Sequence, residues 1–207
     1  MNKNEKKKGG DEEDVKTMSP GEPLVGLFGA DPDGLEKHGV MMLMDEIKSE
    51  SVKPVIEWIL KNNLSLNQFE RLTLIINSNG GSVTDAFALI DTMKGSGVPI
   101  STVGLGDISS SGLMIFMAGE KGHRILTPNA SILSHQYSWG KWGKEHELLT
   151  ASRGFDLTSE MIMNHYIKCT GMTEKKIRQN LLPPHDVWLS AKEAKKYGIC
   201  DKIKELY

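Results

Sequence analysis

Cysteine is scarce in this chain of 207 residues: Cys169 and Cys200 are the only two. Two thiols without metal-ligand spacing exclude a disulfide framework, fit a reducing compartment and read most simply as small buried apolar groups. Charge of one sign is also missing. Lys+Arg 25 against Asp+Glu 27 leaves a net charge of −2, so no global field draws the chain to nucleic acid or anionic lipid. No apolar run approaches the ~18–20 residues that a membrane span requires. The opening MNKNEKKKGGDEEDVKTMSPGEP joins a basic to an acidic block with no hydrophobic stretch between them, unlike a secretory signal. Residues 1–22 are therefore expected to be a disordered charged tail and 23–207 one domain, in a cytoplasmic setting, with no metal, cofactor, membrane or nucleic-acid partner.

What is there is an alternation of short strands and amphipathic helices. GVMMLM reads as a strand, and SESVKPVIEWILKNN puts Val52, Val55, Ile56, Ile59 and Leu60 on one helical face. Ser49 or Ser51 is expected to cap that helix, with Pro54 in its first turn, where a missing N–H costs little. RLTLIIN lacks clean alternation, as a strand covered on both faces does. NSNGGS breaks it before the helix VTDAFALIDTMKGSG, which stops at Gly95 or Gly97. PISTVGL, HRILT and ASILSH follow as strands, with SSGLMIFMAG as a helix after the first of them. A long helix from about Lys144 to Cys169, interrupted near Gly154, precedes TEKKIRQN, the extended VWLS, and SAKEAKKYG. Ser190 and Glu193 form a capping box for this last helix, which Gly198 ends. The class is α/β with parallel pairing.

Two strand-to-helix turns are glycine-rich, NSNGGSV at 77–83 and GDISSSG at 106–112, at the strand ends where open α/β sheets bind ligands. Paired glycines let backbone N–H groups face an approaching oxygen, and two converging N–H groups make an oxyanion hole. Ser109, Ser110 and Ser111 are either helix caps or include a nucleophile. A nucleophile needs a base, and that base an orienting carboxylate. Among six histidines, His135 ends an apolar strand and projects from a fixed element. His146 and His165 fall in the long polar helix and are expected at the surface. His38 lies near the tail and His185 in a Pro-Pro loop. Composition does not choose among the aspartates.

INSNGGSV (76–83), GDISSSG (106–112), SHQYSWG (134–140), DVWLS (186–190) and AKEAKKYGICDKI (191–203) succeed one another in this order. So arranged, the sequence resembles ClpP, the proteolytic subunit of the Clp protease, over about residues 40 to 203. The resemblance implies the ClpP/crotonase-like spiral of repeated β-β-α units with a protruding handle helix at about 144–168. It also implies a serine endopeptidase acting on unfolded or extended polypeptides: Ser110 as nucleophile, His135 as general base, Asp186 as its carboxylate, and the Gly81 and Ser111 amides as the oxyanion hole. Substrate would lie between Gly81, Ser82 and Val83 on one side and Ser138, Trp139 and Gly140 on the other, read mainly through backbone. Implied partners are further copies of the chain, as heptameric rings stacked into a tetradecamer, and an AAA+ ATPase unfoldase. The chain departs from the family pattern at Asn79 (usually proline), at Asp45, and at Thr73 and Ile75, which stand where many members carry docking-pocket tyrosines. Tyr137 replaces the proline after His-Gln; it, Trp139 and Trp142 either narrow the substrate channel or pack the base of the handle.

Three other readings compete: a catalytically silent ring or scaffold subunit; a crotonase-type acyl-CoA enzyme, in which two amides hold a thioester enolate; and a Ser–Lys peptidase. The Ser/His/Asp set argues against the second, and no lysine is required to face Ser110 in the third.

Overall fold

A computed structural model of the chain describes residues 34–205, and the tail assigned to residues 1–22 lies outside them. Contacts divide the chain into Met1–Gly34 and Leu35–Tyr207, and the second unit holds every strand and α-helix among the described residues. In chain order these are β1 (Val40–Leu43), α1 (Ser49–Leu64), β2 (Leu72–Ser78), α2 (Val83–Gly95), β3 (Ile100–Ser109), α3 (Ser110–Met117), β4 (Arg124–Leu126), β5 (Ser131–Ser134), α4 (Glu145–Thr170), α5 (Glu174–Asn180), β6 (Val187–Ser190), α6 (Ala191–Lys196) and β7 (Lys202–Ile203).

Six of the seven strands join by parallel pairing, β1-β2-β3-β4-β7 with β5 beside β3, and β6 alone runs antiparallel, against β5. Parallel strands need crossover connections, which the helices supply. β3 pairs with two neighbours in succession: Thr102–Gly104 align with β4, and Asp107–Ser109 with Ser131–Leu133 of β5. The longest strand of the sheet thus forks, and its second branch ends at the serine triplet. Between the branches sits Gly106 at φ +66, with Asn77 of β2 packed against it. The Asn77 side chain accepts the Asp107 N–H at 3.0 Å, so β2 holds the fork in place.

Beneath the sheet a continuous apolar core joins Leu43, Leu72, Leu74 and Ile76 to Val55 and Ile59 of α1, Leu89 of α2 and Leu113, Ile115 and Phe116 of α3. β2 differs from the expected strand covered on both faces. Leu72, Leu74, Ile76 and Ser78 are buried, while Thr73, Ile75 and Asn77 are only half covered. Thr73 and Ile75, with Val40, Ser101, Val103 and Ile125, line a cavity of about 290 Å³.

Helix boundaries bring further corrections. α1 buries Val52, Val55, Trp58 and Ile59, whereas Leu60 is 50 % exposed, so the buried stripe is rotated toward the tryptophan. Neither Ser49 nor Ser51 is its cap residue, which is Lys48; Ser51 reaches back from the first turn to accept the Lys48 N–H at 3.2 Å. Pro54 lies beyond the first turn, so its missing N–H removes one interior helix bond. α4 runs through Gly154 unbroken for 26 residues, about 39 Å at the usual rise. The capping box at Ser190 and Glu193 forms as expected, with the Ser190 N–H on the carboxylate at 2.9 Å.

His165 is the clearest reversal, because it is 7 % exposed rather than superficial. Its Nε2–H donates to the Met114 carbonyl at 2.8 Å, and its ring meets Phe87 edge-on. Burial lowers its pKa from 6.5 to about 4; the Met114 bond opposes this, Lys94 and Lys168 add to it, and Asp91 opposes it. A second buried polar cluster ties the sheet to the end of α4. Arg124, 3 % exposed, grips both Asp201 oxygens and donates to the Cys169 carbonyl. Burial raises the Asp201 carboxyl, but the bonds from Arg124 and from the Gly122 N–H outweigh it and hold the carboxyl below its ordinary value. Cys169 and Cys200 are free thiols, half-buried and buried, both pushed up by burial.

The His165 shift sets a pH dependence. A group whose folded pKa is depressed contributes its full stability above the unfolded value. As pH falls from 6.5 toward about 4, the unfolded chain takes up a proton that the folded chain refuses, and roughly 3 kcal/mol is withdrawn. Urea unfolding at pH 7 and pH 4.5 will show that loss, and His165→Leu will remove this part of the slope. An unchanged slope in the variant would assign it to another group.

Candidate active site

The three serines are sorted by their surroundings. Ser109 is 2 % exposed and its hydroxyl is bonded to the Asp107 carboxylate. Ser111 is 1 % exposed, and its Oγ is buried without a partner among the described residues. Ser110 between them is half-buried, and its side chain is the accessible one. Although Ser109 occupies the cap position of α3, its side chain makes no capping bond. The capping reading of the triplet is therefore not the one the structure takes.

Ser110 has φ +55, the one non-glycine residue with positive φ among those described. A left-handed non-glycine costs ~1–3 kcal/mol and persists only where its surroundings enforce it. Gly80, at φ +96, is part of that enforcement: a Cβ there would stand 2.6 Å from the Ser110 Cβ and 3.2 Å from its Oγ. A sharp strand-to-helix turn with a serine at its strained apex is the geometry of a nucleophile elbow.

The first glycine turn is held from two sides. The Gly80 N–H donates to Ser78 Oγ at 3.1 Å. Ile47, in the loop before α1, donates its N–H to the Gly80 carbonyl at 2.8 Å and accepts the Ser82 N–H at 2.7 Å. These bonds fix Gly81 at φ +147, bridged to Ile47. Ser82 caps α2 through the Asp85 N–H, and Val83 opens that helix, so Gly81 and Ser82 stay outside the helix and Val83 does not. Ser111 lies in the first turn of α3, where backbone N–H groups lack helical acceptors.

His135 and Asp186 arrive on neighbouring strands. β5 ends at Ser134, whose partner in the antiparallel pair is Val187, the first residue of β6. His135 and Asp186 are the residues one step beyond that pair, and Ser110 is one step beyond the parallel pair Ser109–Leu133. All three therefore gather at one end of adjacent strands. They are not joined by hydrogen bonds among the described residues. The His135 Nδ1–H donates instead to the Gln136 carbonyl at 2.5 Å, and Asp186 is exposed. In a neutral ring that bond puts the proton on Nδ1 and leaves Nε2 as the acceptor, the tautomer a general base uses.

Ser138, Trp139 and Gly140 lie exposed in the segment between β5 and α4. Tyr137 stacks on Phe155 at 5.4 Å, and Trp139 tilts against the same ring at 5.3 Å, so both pack against α4 near its middle. Trp142, 97 % exposed, does not. Beside His135, a cavity of about 280 Å³ is lined by Gln136, Tyr137, Phe155, Ile162, Met163 and Leu182. One contributor had no signal in the sequence: Ile47 acts through its backbone from a remote loop. Gly80 was legible as half of the glycine pair, but not the room it leaves for Ser110.

A mostly parallel sheet with covering helices, and a strained serine between a forked strand and a helix, places this protein among the α/β proteins. The model of the family "Clp protease" matches residues 32–206, and the chain belongs to that family. It is similar to the "ATP-dependent Clp protease proteolytic subunit 2" of Corynebacterium glutamicum, 33 % identical over 192 residues, 92 % of each chain. A peptidase of the ClpP type is the function class these similarities support. No helix among the described residues is long and apolar enough to cross a membrane.

The contact between Gly80 and Ser110 gives a direct test. Gly80→Ala is expected to destabilise the fold by about 2 kcal/mol or more. An unchanged urea midpoint would show that the turn at Ser110 does not depend on this glycine.

Proposed function

We propose that the protein is a serine endopeptidase in which Ser110, His135 and Asp186 form a catalytic triad. The observation that carries this reading is the strained, accessible Ser110 at the strand–helix turn. Ser110 Oγ attacks the peptide carbonyl as His135 Nε2 takes its proton. The Gly81 and Ser111 N–H groups stabilise the tetrahedral oxyanion. The imidazolium returns the proton to the leaving amine, and a water activated by the same base hydrolyses the acyl-enzyme. Engagement requires the His135 ring to exchange its Gln136 carbonyl for the Asp186 carboxylate, a change within one residue of the end of β5.

The backbone of Gly81 and Ser82 would receive one edge of an extended substrate and Ser138–Gly140 the other, with Trp139 among the latter. The cavity beside His135, whose wall carries Arg178 and Ser159 as well as apolar side chains, would take a substrate side chain. Self-association into rings, heptamers that stack in pairs, is supported by the first two thirds of α4. From Glu145 to Met161 the helix buries no residue, and it exposes Leu149 (68 %), Leu157 (45 %) and Met161 (47 %). An AAA+ unfoldase would dock at the half-covered face of β2, where Thr73 and Ile75 line an apolar cavity. The setting proposed is cytoplasmic, with ATP used only by that partner.

A second reading is favoured by one observation. Because His135 bonds to Gln136 rather than to Ser110 or Asp186, a catalytically silent ring subunit of the same fold is the competitor. Hydrolysis of a short fluorogenic peptide by the size-fractionated protein separates the two. The triad reading expects Ser110→Ala to lower kcat on the order of a thousandfold or more and to abolish fluorophosphonate labelling, with His135→Ala equally inactive. A stable assembly that neither cleaves nor is labelled supports the silent subunit, and labelling that survives Ser110→Ala names the wrong serine.

A further inference from the structure

One turn of α4 touches both halves of the candidate site. His165, buried, donates its Nε2–H to the carbonyl oxygen of Met114 at 2.8 Å. Met114 lies four residues beyond Ser110, one turn along the same short helix. Tyr166, 2 % exposed, has its hydroxyl 3.0 Å from Ser134 Oγ, and Ser134 Oγ donates in turn to the Leu181 carbonyl at 2.6 Å. Ser134 immediately precedes His135. On its other side, Gln136 Nε2 donates to the Leu182 carbonyl at 3.0 Å.

Successive residues of a helix point about 100° apart, so 165 and 166 reach different neighbours. One holds the helix that carries the nucleophile, the other the strand end that carries the base. Apolar side chains would fill both positions without the cost of burying a polar group, which is recovered only through a directional bond. Directional bonds specify position, whereas apolar packing mainly supplies stability.

We propose that His165 and Tyr166 are positioning residues, a two-point brace through which α4 sets the distance between Ser110 and the His135 segment. The inference rests on the reading of Ser110 and His135 as nucleophile and base. The brace does not touch substrate, and its effect is on the geometry of residues that do.

The test compares wild type with Tyr166→Phe, His165→Leu and His165→Gln. Phenylalanine keeps the ring and removes only the hydroxyl. Glutamine keeps an N–H donor at similar reach, and leucine does not. Peptide hydrolysis gives kcat and KM, and histidine labelled with ¹³C at Cε1 gives the His135 resonance in the same proteins. Tyr166→Phe and His165→Leu are expected to lower kcat about tenfold with KM within about twofold, as small misplacements of reacting groups do, and to shift the His135 resonance. His165→Gln is expected to recover most of kcat.

Wild-type kcat and an unmoved His135 resonance in both Tyr166→Phe and His165→Leu would overturn the proposal. So would a loss in His165→Leu that glutamine does not rescue, because packing alone would then account for it. If the wild type neither cleaves peptide nor reacts with fluorophosphonate, the peptidase reading falls instead. The His135 resonance in Tyr166→Phe, the mildest variant, still decides whether the brace exists.

Discussion

β3 pairs with two different strands along its length, and everything around Ser110 depends on that fork. Its first branch lies against β4 and its second against β5, so the chain leaves the sheet beside the end of β5 rather than in the middle of a ladder. Parallel pairing makes this consequential, because both strands then end on the same side. The antiparallel β6 closes the arrangement by bringing its first residues to the same end. A one-residue slip of β3 against β5 would turn Ser109 from the core to the other face, since strand side chains alternate with period two.

Glycines at the rim of the sheet complete what the register begins. Gly80 leaves room for a serine in a left-handed conformation, and Gly106 lets Asn77 close on the fork. Keeping that space open costs stability, which the apolar core from Leu43 to Phe116 offsets. Three buried polar groups are paired across the fold: Arg124 with Asp201, His165 with Met114, and Ser134 with Tyr166 and Leu181. Each pair joins elements far apart in the sequence, so these bonds specify how the helices seat against the sheet rather than supplying the bulk of stability.

The alternation of strands and helices is legible from apolar periodicity, and so are the capping box at Ser190 and the two glycine turns. Helix α1 is legible as a helix but not in its rotation. Trp58 takes the buried stripe because the neighbouring sheet, not the helix itself, decides which flank is covered. The burial of His165 is hidden for the same reason: a polar helix carries no mark of where its last turns enter the core. The resemblance of ordered blocks to ClpP is upheld by the family match. The roles of Ser110, His135 and Asp186 rest on the proposal.

By itself the sequence determined the elements, their order and the residue types at each turn, because period, caps and glycine steric freedom act over a few neighbouring residues. Only the tertiary structure decided which of three adjacent serines is left half-buried and strained while its two neighbours are buried. The same packing turned His135 toward Gln136 and placed two consecutive residues of α4 against opposite halves of the site. Those outcomes depend on pairs separated by tens of residues, where register and packing choose the partner and local sequence is silent.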